Sequence, residues 1–88
     1  MKYKCVYSSG GGREYNNLIW TRKDTPKTIT LEAIEGIGAD VFANHKLGQK
    51  IRVGKGTGNP LREHGDGTFT VYFNRAGIPY YFEPLGDN

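Results

Sequence analysis

The sequence predicts a small, mainly β, α+β domain: an antiparallel sheet of about five to six strands with one short helix, or a partly open β-barrel. Three observations lead there. Apolar and aromatic residues alternate with polar ones at a period of two near both ends of the chain. Thirteen glycines and four prolines in 88 residues require many turns. A chain this short forms one domain, residues 1–88, and buries only about 60 to 65% of its unfolded surface, too little to enclose a deep substrate cavity.

The first strand lies in KYKCVY, where Tyr3, Cys5 and Tyr7 alternate with Lys2, Lys4 and Val6. LIWTRK, with Trp20 near its centre, returns as its hairpin partner after a long loop from Ser8 to about Asn17. The β-branched run KTITLEAIE predicts an extended segment over Thr28 to Ala33, because Gly36 and Gly38 would each cost a helix about 1 kcal/mol. A helix starting at Thr30 is the competing assignment. A short helix follows over roughly Ala39 to Lys46, with Gly48 as its C-terminal cap.

From Gln49 the pattern is β again. Ile51 and Val53 share one face, placing Lys50 and Arg52 on the other. The clearest hairpin joins TFTVYFN to IPYYFEP through Asn74, Arg75, Ala76 and Gly77, with Gly77 left-handed. Its register pairs Phe73 with Ile78, Val71 with Tyr80 and Phe69 with Phe82 on the core side. Thr70, Tyr72, Tyr81 and Glu83 then face outward.

Net charge is only +3, but it is segregated. Successive segments 1–27, 28–45, 46–62 and 63–88 carry +4, −3, +5 and −3, so Lys46, Lys50, Arg52, Lys55 and Arg62 form an unopposed basic strip. Such a strip favours an anionic partner unless acidic segments neutralise it across the fold. A single cysteine excludes an intramolecular disulfide, and Cys5 reads as a packed thiol. No metal site is expected, since one Cys and two His at wide spacing lack paired ligands. No cofactor motif and no membrane segment is expected, and a cytoplasmic location is the default.

GKGTGN, residues 54 to 59, could turn N–H groups inward as an anion cradle beside Lys55. It is not a Walker A loop, because Gly48 stands one residue too far upstream and Gly56 replaces the magnesium-binding Ser or Thr. RVGKGTGN, with GIG at 36–38 and His64 downstream, is similar to the second strand and following loop of GIY-YIG nucleases. The family's tyrosine positions hold Gly38 and Arg52 and its arginine position holds Pro60, with no helix for the metal-binding glutamate. The resemblance therefore carries no catalytic set.

Arg62, Glu63 and His64 gather a cation, a carboxylate and an imidazole, with His45 as a second imidazole. That is the inventory of a metal-independent ribonuclease. Tyr72 and Tyr81 could stack on bases or anchor a protein partner. The leading expectation is a small non-catalytic protein engaging nucleic acid, or a nucleic-acid-handling complex, through the basic strip, in the manner of a phage or mobile-element regulator or inhibitor. The alternatives are a toxin-like endoribonuclease and a pure protein-binding inhibitor.

Overall fold

The computed structural model describes residues 1–9, 12–36, 46–75, 77 and 79–86, with backbone alone at 7–9 and 12–17. Its strands are β1 (Lys2–Ser9), β2 (Gly12–Asp24), β3 (Ile29–Gly36), β4 (Lys50–Val53), β5 (Leu61–Glu63), β6 (Phe69–Val71) and β7 (Tyr80–Pro84). All seven form one sheet in the order β4-β3-β2-β1-β7-β6-β5. Every neighbouring pair is antiparallel. The sheet curls into a nearly closed barrel, so that Arg22 on β2 reaches Glu63 on β5.

The mainly β architecture agrees with the sequence, whereas seven strands exceed the expected five to six. One addition is β5, where the charged run before HGDG pairs with β6. The expected loop from Ser8 to Asn17 is also mostly strand. β1 and β2 continue to the pair Ser9 with Gly12, and the register shifts by two residues between Lys4 opposite Ile19 and Val6 opposite Tyr15. This irregularity absorbs Asn16 and Asn17 without a loop.

Thr28 to Ala33 is extended as predicted, within β3, and the helix starting at Thr30 does not form. Thr25 and Thr28 close the tight β2–β3 turn around Pro26, where the Thr28 N–H donates to Thr25 Oγ1 at 2.9 Å. The helix expected over 39–46 falls mainly outside the described residues. Gly48 is left-handed, at φ 85°, and its N–H donates to the Ala33 carbonyl.

One face of every strand lines the interior. Cys5, Leu18, Trp20, Leu31, Ala33, Val53, Phe69, Val71, Phe73 and Phe82 form a single buried cluster. Phe82 is its hub, stacked on Phe69 at 4.9 Å and edge-on to Trp20 at 5.9 Å. The predicted pairs Phe69 with Phe82 and Val71 with Tyr80 are present. The turn differs. β6 stops at Val71, Phe73–Arg75 form a 3-10 turn, and the left-handed residues are Asn74 and Arg75, at φ 55° and 57°, rather than Gly77. Ile78 lies outside the described residues. Among the described residues no helix is long and apolar enough to cross a membrane.

Candidate functional site

Because β3 pairs with both β2 and β4, register decides which charged residues share the outward surface. Arg52 lies opposite Thr30, and Thr30 opposite Lys23; Lys50 lies opposite Glu32, and Glu32 opposite Thr21. Thr21, Lys23, Thr30, Glu32 and Lys50 line a depression of about 280 Å³. Lys50 and Arg52 are exposed, as expected for the face opposite Ile51 and Val53. Lys23 joins them, although sequence reasoning had placed it in another charge segment. The alternation in LIWTRK showed its face, but only the β2–β3–β4 order shows its neighbours.

Four of the six described carboxylates, all except Glu32 and Asp66, form ion pairs elsewhere. Glu35 takes Lys2 at 3.0 Å, Glu83 takes Lys4 at 3.9 Å, and Asp24 and Glu63 both take Arg22. Every cation in these pairs belongs to the segment 1–27. Lys23, Lys46, Lys50, Arg52, Lys55 and Arg62 make no ion pair with an acidic group among the described residues. Ion pairing therefore falls on the amino-terminal segment, and the acidic group that faces the strip is Glu32, opposite Lys50. Lys46 and Lys55 are exposed on turns flanking β4, and Arg62 is exposed on β5.

The glycine run is a self-satisfied turn more than a cradle. Gly54, Gly56 and Gly58 are left-handed, and the N–H groups of Gly54, Thr57 and Asn59 already donate within the loop. Asn59 anchors it from both ends of its amide. Its Nδ2 donates to the Arg52 carbonyl at 2.8 Å, and its Oδ1 accepts the Asn74 N–H at 2.8 Å. The loop thus holds the end of β4 through the Arg52 carbonyl and presents Lys55 on an exposed turn without offering a full nest of donors.

Strand alternation separates Glu63 from His64. Glu63 turns toward the barrel mouth, where its carboxylate receives Arg22 Nη1 at 2.8 Å and the guanidinium lies 4.7 Å from the Phe69 ring centre. That hydrogen bond holds Glu63 below the usual glutamate range. His64 turns to the other side, sharing a 2.7 Å hydrogen bond with buried Thr70 and packing 5.5 Å from Tyr81. Glu63 is thus held by Arg22 and His64 by Thr70, and no hydrogen bond joins the carboxylate to the imidazole among the described residues. Arg62, opposite Thr70, shares the His64 side. His45 lies outside the described residues.

Tyr72 and Tyr81 are each half-buried, where the sequence had them solvent-facing, and Tyr81 is shielded in part by His64. Cys5 is fully buried, and burial pushes its thiol pKa up, away from nucleophilic use. No group of three or more His, Cys, Asp or Glu gathers to hold a metal among the described residues. No protein-family model, curated protein or solved structure matches the chain, so function rests on this geometry.

Proposed function

We propose that the protein binds nucleic acid, without catalysing a reaction, through the outward face of β2, β3 and β4. The observation that carries this is the distribution of ion pairs: described carboxylates engage Lys2, Lys4 and Arg22, while Lys23, Lys50, Arg52 and Lys55 keep their charge for an external anion. Lys46 and Arg62 flank this face and extend the positive field. Phosphates are the natural counterpart, because their binding releases condensed counterions.

Four phosphate contacts on a single strand give a log-log salt slope of about −2.8, so affinity falls about 50-fold between 50 and 200 mM salt. Fluorescence anisotropy with a labelled single-stranded oligonucleotide measures this. The triple variant Lys50→Ala, Arg52→Ala, Lys55→Ala leaves one contact, a slope of about −0.7 and a loss of only about threefold over the same range. Absence of binding at 50 mM salt, or an unchanged slope in a folded triple variant, refutes the proposal. A partner that stays bound to the native protein after nuclease treatment would identify a protein complex as the target instead.

A further inference from the structure

The depression on the outward sheet face has a mixed chemistry that plain phosphate binding does not need. Lys23 on β2 and Lys50 on β4 stand diagonally across β3, two strand spacings apart and offset by two residues, or about 12 Å. On β3 the half-buried Glu32 faces Lys50 directly and lies diagonal to Lys23, and Thr21 and Thr30 complete the lining. Glu32 makes no ion pair with a described cation, although Lys50 is its cross-strand partner. A volume of about 280 Å³ lies just below the range of small-molecule sites and has room for roughly nine waters.

A carboxylate in the middle of a phosphate-binding face repels phosphate. It is useful there only to a ligand that presents a hydrogen-bond donor between two anionic groups. Ribose in an RNA chain does this, its 2′-hydroxyl lying between successive phosphates. Deoxyribose does not. We propose that this depression binds one ribose unit of RNA, with Glu32 accepting the 2′-hydroxyl, Lys23 and Lys50 taking the flanking phosphates, and Thr21 and Thr30 offering hydroxyls to the sugar-phosphate edge. This rests on the nucleic-acid function proposed above and specifies its ligand. When the hydroxyl is missing, a half-buried carboxylate is left without a donor and next to phosphate, so discrimination comes as much from rejecting DNA as from preferring RNA.

The test compares three labelled oligonucleotides of one sequence: RNA, DNA, and RNA methylated on every 2′-oxygen, which lacks the donor hydrogen. The native protein binds RNA about fivefold or more tightly than either of the others. Glu32→Ala brings the three affinities together, chiefly by strengthening binding to DNA, and Glu32→Gln keeps an acceptor and part of the preference. Equal binding of RNA and DNA by the native protein refutes the ribose site while leaving nucleic-acid binding intact. So does a preference that survives Glu32→Ala. Binding to none of the three overturns both proposals. The methylated probe needs no variant, so the test holds even if a substitution at Glu32 disturbs the fold.

Discussion

Arg22 closes the mouth of the barrel, and replacing it separates the contributions of charge and of packing. Its side chain is only 12% exposed, yet its guanidinium meets Asp24 and Glu63, whose side chains are 54% and 55% exposed. Each such half-exposed ion pair contributes about 0.5 kcal/mol, and the cation above Phe69 about 1 kcal/mol. Covering the barrel mouth with the two outer methylenes of the stem adds about 1.5 kcal/mol. Arg22→Ala therefore costs about 3.5 kcal/mol in total. At about 4 to 8 °C per kcal/mol for a domain of this size, the melting temperature falls by roughly 14 to 28 °C. Arg22→Met keeps an apolar stem and should recover about half of that loss. Thermal unfolding followed by circular dichroism measures both variants. If Arg22→Ala melts within about 4 °C of the native protein, Arg22 is not a structural closure. If Arg22→Met is as damaging as Arg22→Ala, the stem contributes nothing and the packing argument fails.

Two further outcomes follow from the same interior. Glu63 is held below the ordinary glutamate value of 4.5 by Arg22, so its stabilising contribution is complete above that pH and is lost as pH falls through the lower folded-state value. Melting curves of Glu63→Gln should accordingly lie beneath those of the native protein at pH 6 and draw together with them as the pH falls through the folded-state value; a separation that does not shrink on acidification would contradict the pairing. Phe82→Ala removes the ring shared by Trp20, Phe69 and Phe73, at a cost of about 3 to 5 kcal/mol. A chain of 88 residues has only about 4 to 13 kcal/mol of stability in all. The variant should be largely unfolded or melt at least 12 °C lower, and a smaller change in urea or thermal denaturation would mean that the cluster repacks around another residue.

The register of β6 and β7 was legible because six aromatic and β-branched positions alternate on either side of a short polar turn. β5 was not, since three residues, Leu61, Arg62 and Glu63, are too few to display a period. The early half of β2 reads GREYNN, polar enough to pass for loop, and becomes strand because β1 offers it a complete ladder. The basic residues of the strip were visible as a charge count, and Lys50 and Arg52 fell on one face by alternation alone. Their association with Lys23 and Glu32 was invisible for a different reason. Alternation is local, whereas strand neighbours are set by tertiary pairing. The Arg22–Glu63 contact spans 41 residues and left no local signature.

The central pairing of β1 with β7 joins the two ends of the described chain, from Tyr3 opposite Pro84 to Tyr7 opposite Tyr80, and the Leu85 N–H donates to the Lys2 carbonyl at 2.8 Å. During synthesis on the ribosome β1 is made well before β7, so one side of it stays unladdered until almost the whole domain has been translated. Phe82, the ring around which the interior is assembled, arrives with that last strand. The nascent hairpins before it have half an interior and an open strand edge, the exposure that invites association with other chains. Cooperative folding must therefore wait until the strand that carries Phe82 has left the exit tunnel, because the central pairing of this sheet is also its most non-local.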